Sequence, residues 1–327
     1  NIVDQIFIGQ GVGYLGNAAT NVAFPLTTIC LAITLLISIG SASRFSLSLG
    51  EGDADRAAQA VGNALAMMVL FGILYTLCIE IFLVPLLNAF GATQDVLPYA
   101  IEYTRITAVG MPLLIITNGM SNLARADGSP NYSMMCMLIG AIINTILDPL
   151  FIFKFHMGVR GAAFATVIGQ FFSFLMALYY VKKFTHIRLK KQHFILKPQV
   201  CLNIASLGMS NCLNQVAITF VQIVMNNSMT YYGAKTIYGS EIPLAASGIV
   251  MKTNGILLSV IIGLSQGSQP IIGFNYGAKQ YDRVRGTYRL AISCNLVVSA
   301  IGFVLFQFFP KQIISLLSLI QSPSPRD

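Results

Sequence analysis

Long apolar runs separated by short polar connections set the pattern of this chain. The runs fall at about 17–49, 57–89, 96–122, 130–153, 159–184, 200–232, 243–276 and 283–309, and residues 1–10 read as the tail of one more. Each of the eight exceeds the roughly 20 residues a helix needs to cross the hydrocarbon of a bilayer, with room for tilt or a protruding turn. GEGDADR at 50–56, GATQD at 91–95, ARADGSP at 124–130 and the basic stretch KKFTHIRLKKQHFILKP at 182–198 punctuate them. The pattern predicts a partial first helix followed by eight complete ones.

Composition agrees with that reading. Apolar residues make up 55% of the 327 and charged residues only 10%, against about 25% charge in a soluble domain. The net charge of +8 does not mark a nucleic-acid binder, because most basic residues flank apolar runs. Counting residues 1–10 as the first span, Lys and Arg cluster in the connections after the second, fourth, sixth and eighth, from Arg44 and Arg56 through Lys182, Lys183 and Arg188 to Lys279 and Arg283. The alternate connections hold Lys154, Arg160 and Lys235. The positive-inside rule then places the first set, including 182–198, in the cytoplasm. The six cysteines lie within apolar runs without metal-type spacing and read as small buried hydrophobes; His156, His186 and His193 fall in loops.

The chain also repeats itself. A shift of 227 positions pairs Ala18-Ala19 with Ala245-Ala246, Gly40-Ser41 with Gly267-Ser268, Gly50 with Gly277 and Asp55-Arg56 with Asp282-Arg283, without a gap. Six runs separate equivalent points, so the two copies face the same way across the membrane, an arrangement found in transporters with the substrate path between lobes. The expected fold is an all-α membrane protein of two six-helix lobes related as parallel repeats. Part of the first helix and the last three helices are expected to be missing, about 90 residues by the repeat arithmetic, and the ending LIQSPSPRD departs from the first copy. The expected division is an N-terminal lobe at 1–184, an interlobe linker at 185–199 and a partial C-terminal lobe at 200–327.

Candidate chemistry centres on the run 130–153, PNYSMMCMLIGAIINTILDPLFIF. Asp148 would sit at membrane depth, where a carboxylate costs roughly 3 kcal/mol on insertion scales and marks a functional site by default. Asn144 lies four residues earlier on the same helix face. Pro149 cannot donate to the carbonyl of Thr145, which predicts a kink beside the acid. The plain alternative is an Asp that only hydrogen-bonds a neighbouring helix. Asp4 is a second acid in an apolar context. Glu102 reads as paired with Arg105 three residues on, and Glu80 has no evident partner. Gly161, Ala165 and Gly169 form a small-residue stripe suited to close helix packing.

The chain resembles the multidrug and toxic compound extrusion (MATE) transporters, on the DinF-like and bacterial multidrug side of that family. The resemblance rests on NIVDQIFIGQGVG at 1–13, GEGDADRAAQAVG at 50–62, RADGSPNYSM at 125–134, NTILDPLFIF at 144–153, GVRGAAFATVIGQ at 158–170 and GLSQGSQPIIGFNYGAK at 263–279. It implies a secondary antiporter, not an enzyme, that exports organic cations or drugs across the cytoplasmic membrane in exchange for Na⁺ or H⁺, as a monomer and without a cofactor. It also implies a cation-coupling set in the first lobe: Asp4, Asn144, Asp148 and Thr166, with Tyr103 in the cavity or proton network. Two carboxylates with Asn and Thr oxygens suit Na⁺, or a proton shared between the acids. For Tyr103 and Thr166 ordinary packing is the rival reading. At the level of the whole protein the rivals are a lipid-linked precursor flippase and a non-transporting membrane fragment.

Overall fold

The computed structural model describes residues 2–233, 235, 241–310 and 312. No strand occurs among them. The helices are α1 (Ile2–Gly11), α2 (Tyr14–Gly50), α3 (Ala54–Ile81), α4 (Leu83–Ala89), α5 (Leu97–Ala126), α6 (Pro130–Pro149), α7 (Gly158–Tyr180), α8 (Pro198–Gly233), α9 (Glu241–Gly277) and α10 (Tyr281–Phe308). A π-helical turn at Leu150–Lys154 and a 3₁₀ turn at Lys191–Phe194 complete the described elements. Among the described residues eight helices are long and apolar enough to span a bilayer, and they coincide with the eight complete hydropathy runs. The ending at 319–327 lies outside the described residues.

Local chemistry sets the helix ends. Asp53 caps α3 by accepting the Arg56 amide (2.9 Å), satisfying one of the donors a helix start leaves unpaired. Pro130 opens α6 at a position where its missing N–H costs nothing. Gly52 and Gly128 follow α2 and α5 at φ 80° and 86°, the left-handed geometry that closes a helix and that glycine adopts freely. The run 57–89 is two helices, not one. It breaks at Phe82 (φ −105°, ψ 20°), so that Pro85 falls in the first turn of α4, where a proline is tolerated.

The repeat seen in the sequence recurs in the backbone. Adding 227 carries the end of α2 at Gly50 to the end of α9 at Gly277, and the span of α3, 54–81, onto that of α10, 281–308. It carries the Ser48 carbonyl to Asp53 amide bond onto the Asn275 to Gln280 bond. It also carries Gly52 at φ 80° onto Lys279 at φ 59°. The second copy thus keeps a left-handed turn with a lysine where the first has glycine.

The described chain falls into two compact units that divide within α8, at Val216 and Ala217. In the first unit α5 is the central post and packs on α2, α3, α6 and α7. Without a hydrophobic drive between helices in lipid, close backbone approach and good packing hold such a bundle together. Gly72 lets α3 ride against Pro112 of α5, since a Cβ there would lie 2.9 Å from the Pro112 Cα. Gly40 and Gly208 bring α2 and the start of α8 into backbone contact, where any Cβ would strike the Ile204 or Leu36 carbonyl. In the second unit α9 and α10 form a hairpin, with Gly302 seated against Leu257 and the Asn295 amide donating to Ser265 Oγ (3.3 Å).

The basic segment between α7 and α8 is pinned to the first unit at two places. Asp127, buried in the α5–α6 turn, accepts the Tyr180 hydroxyl (2.8 Å), the Thr185 and His186 amides (2.8 and 3.3 Å), and faces His186 Nδ1 (2.9 Å). Asn63 of α3 donates to the His193 and Ile195 carbonyls (3.0 and 3.2 Å) and accepts the Lys197 amide (2.7 Å). His193 lies in this connection, as expected, and is buried there. Its Nδ1 accepts the Lys190 amide (3.1 Å), so the ring proton sits on Nε2 and faces Asp55 (3.2 Å).

The acidic pairs also differ from expectation. Glu102 pairs with Arg160 at the start of α7, and Arg105 reaches Glu80 on α3 (3.7 Å). Side chains on neighbouring helices lie closer than the i,i+3 partner, and each pair is exposed enough to contribute no more than about 1 kcal/mol. The cysteines differ too: Cys30 and Cys136 are buried, whereas Cys78 is exposed.

Asn63→Ala leaves two carbonyls and an amide of the linker without partners, at about 1–3 kcal/mol for each buried group that stays unsatisfied. Trypsin cleavage at the Lys and Arg positions of 182–197 then accelerates at least about ten-fold, read by limited proteolysis of purified protein. Cleavage at the native rate would show that Asn63 does not hold the segment.

Candidate functional site

The site is assembled from four helices of the first unit. Asp4 projects from α1 and is 7% exposed, and Asp148 from the last turn of α6 is fully buried. Asn144 sits one turn before Asp148; its amide donates to Asp148 Oδ1 (3.3 Å) and to Thr166 Oγ1 on α7 (3.4 Å). Thr166 spends its own proton on the Ala162 carbonyl (3.0 Å), so it meets Asn144 as an acceptor. The second Asp148 oxygen, Oδ2, has no protein donor among the described residues. The Asp4 carboxyl lies within hydrogen-bonding reach of the Asp148 carboxyl. Two carboxylates this close coexist out of water only if a proton or a cation lies between them.

Backbone packing places these groups. α6 and α7 cross at Gly140 and Gly169: a Cβ on Gly169 would lie 2.6 Å from the Gly140 carbonyl oxygen and 3.2 Å from the Asn144 Cβ. Gly161 similarly lets α7 lie against Phe151. The small-residue stripe is a packing seam, and its closeness lets Asn144 touch Thr166 at all. Beyond Asp148 the chain does not simply kink. α6 ends at Pro149 and continues as the π turn Leu150–Lys154, whose wider hydrogen-bonding spacing accommodates an interrupted ladder next to the acid.

Asp4 forms part of the wall of a cavity of about 180 Å³ that is also lined by Tyr103, Thr104, Thr107, Thr166 and Gln170. Asp148 and Asn144 lie behind this wall and communicate with the cavity through Asp4 and Thr166. Five sequence candidates are thus gathered in one place, with Tyr103 on the same cavity wall as Asp4. Thr104, Thr107 and Gln170 did not stand out in the sequence. The signal was present in their spacing, since Thr107 lies four residues from Tyr103 and Gln170 four from Thr166, each on the same helix face. The cavity holds about six waters' worth of volume, and drug-sized ligands need roughly 300 Å³ or more. It has room for a small ion and its hydration. The donors are hard oxygens, which fit Na⁺. Among the described residues no three of His, Cys, Asp and Glu converge as a transition-metal site would require.

Eight membrane-length helices among the described residues, with a buried acid pair beside a small chamber, define a polytopic membrane protein. A family model described as MatE matches residues 1–150 and 207–322, and the chain belongs to that family, whose members are transporters and not enzymes. It is 23% identical to the probable multidrug resistance protein YoeA of Bacillus subtilis (strain 168), over 96% of this chain and 68% of that protein. It is 26% identical to the FAD transporter of Shewanella oneidensis, over 97% of this chain and 70% of that one. The multidrug export protein MepA of Staphylococcus haemolyticus is 25% identical over 94% of this chain and 67% of its own length. Among solved structures, an outward-facing multidrug resistance MATE family transporter of the MOP superfamily superposes with a TM-score of 0.89 at 22% identity, covering 97% of this chain and 69% of that one. At that identity the likeness establishes the fold.

Gly140→Val forces α6 away from α7, because its side chain meets the Gly169 carbonyl and Ser173. Overpacking of this kind costs about 1–3 kcal/mol. We expect a lower Tm in detergent and loss of any Na⁺-dependent Tm increase, whereas Gly140→Ala retains part of both. A Gly140→Val protein with native Tm and native Na⁺ response would show that the close crossing does not position Asn144.

Proposed function

We propose that this chain exports organic cations or drugs by secondary antiport, with Na⁺ or H⁺ taken up in exchange at Asp4, Asn144, Asp148 and Thr166. One observation carries the reading: the buried Asp148 carboxyl, one oxygen of which has no protein donor, lies within reach of the Asp4 carboxyl, and Asp4 stands on the wall of a chamber that Tyr103, Thr107, Thr166 and Gln170 also line. Occupancy by Na⁺ or a proton relieves the repulsion between the acids and favours the arrangement in which α1, α6 and α7 stay closed around them. Emptying the pair favours another helix packing. Alternating access then follows from that two-state preference, because the ion and the cationic cargo favour different states. Tyr103 is assigned to the proton network, where its hydroxyl can donate towards either acid. The chamber is too small for the cargo, which belongs to a larger path.

Two further assignments rest on sequence patterning. The protein resides in the cytoplasmic membrane, and the positive-inside rule puts the 185–199 linker on the cytoplasmic side. It works as a monomer with membrane lipids around it. A second cargo class is raised by the relative named as an FAD transporter. The paired acids Asp4 and Asp148 repel an anion and attract a cation, so a cationic cargo can compete with the coupling ion where an anionic dinucleotide cannot.

Asp148→Asn abolishes gradient-driven efflux of a fluorescent organic cation from vesicles, at unchanged protein level in the membrane. Asp4→Asn does the same, and Tyr103→Phe lowers the rate by a factor of about a hundred, the lower end of the range for a lost proton-transfer partner. Efflux by Asp148→Asn at the native rate would overturn the assignment, and uptake or export of FAD in place of the cation would move the cargo to the second class.

A further inference from the structure

A fissure of about 730 Å³ opens along the first unit between α3, α5 and α7. Leu65, Val69 and Ile73 of α3 form one wall and Phe174 and Leu178 of α7 the other. The remaining lining is apolar with a single exception, Lys182, which stands two residues beyond the end of α7 at Tyr180. Phe194, from the pinned linker, closes the same end. From Leu65 to Ile73 the helix rises about 12 Å at 1.5 Å per residue. That is most of the roughly 15 Å depth of one leaflet's hydrocarbon.

We propose that this fissure binds an anionic phospholipid, with one acyl chain lying between α3 and α7 and the phosphate on the Lys182 ammonium. The geometry and the charge each argue for that occupant. The walls belong to three membrane-spanning helices, so the cleft faces hydrocarbon and must be filled by it; a cleft of this volume takes a whole chain out of the surrounding annulus. Lys182 lies where the span ends, at headgroup level, and its ammonium has no ion pair among the described residues. An uncharged headgroup would leave that ammonium without a counter-charge, and an anionic one supplies it. One lysine near the membrane surface corresponds to about a five-fold preference. The linker matters here as well, because Asn63 and His193 hold Phe194 over the mouth.

The chain contains no tryptophan, so a single introduced one reports on its own surroundings without background. Leu74→Trp on α3 and, as an independent reporter, Phe171→Trp on α7 flank the fissure without lining it. Each full-length variant is reconstituted in phosphatidylcholine vesicles, and quenching by brominated phosphatidylglycerol is compared with quenching by brominated phosphatidylcholine at equal mole fraction. The expected result is about a five-fold higher relative binding constant for phosphatidylglycerol at whichever reporter folds. Lys182→Gln should reduce the ratio to about one, Lys191→Gln should leave it unchanged, and Ile142→Trp on α6 should show no preference. A ratio near one at the folded Leu74→Trp and Phe171→Trp proteins would overturn the proposal. So would an equal preference at Ile142→Trp, or an equal loss on Lys191→Gln, since either result means diffuse attraction to the basic face.

Discussion

A carboxyl group removed from water in the middle of a membrane must find a proton, a cation or a donor, and the first helical unit is built around that requirement. Asp148 has one oxygen on the Asn144 amide and its carboxyl within reach of that of Asp4. The Asn144 amide also reaches Thr166, a contact that could not exist if α6 and α7 were a side chain further apart. The Gly140–Gly169 crossing therefore belongs to the site as much as the acids do. The chamber beside it, walled by α1, α2, α5 and α7, measures about 180 Å³.

Much of this was legible in the sequence, for identifiable reasons. Membrane spans are read from hydropathy because the bilayer imposes length and composition together. The internal repeat fixed helix ends more closely than hydropathy did, since Gly50 and Gly277, or Asp53 and Gln280, are equivalent turn positions. The intramembrane acid was visible because it is so costly there. What escaped notice was contact between segments distant in the chain. Glu102 chose Arg160 over Arg105, and Glu80 took Arg105, choices that depend on how α3, α5 and α7 are rotated. Asp127 looked like a turn residue in ARADGSP, although it accepts four contacts from a segment more than fifty residues away. No local pattern distinguishes a solvated turn aspartate from one that anchors a distant strand of chain.

The two families of polar contact in this unit act at different depths and do different work. Those around Asp148 are incomplete within the protein and leave room for a guest. Those around Asp127 and Asn63 are complete: every linker amide or carbonyl named there has its partner. Saturated networks give rigidity and unsaturated ones give responsiveness.

That rigidity changes how the connection between α7 and α8 should be counted. Residues 181–197 number seventeen, yet Thr185, His186, His193, Ile195 and Lys197 are all fastened to α3 or to the α5–α6 turn. Lys197 is also the last residue before α8 begins. A polymer's freedom scales with the stretch between its anchor points, not with its contour. Here no unanchored stretch exceeds the six residues 187–192, which include the first half of the 3₁₀ turn. Dynamically the connection is a bracket bolted to the bundle. Lengthening it at Arg188 or Leu189 would add a bulge and no reach.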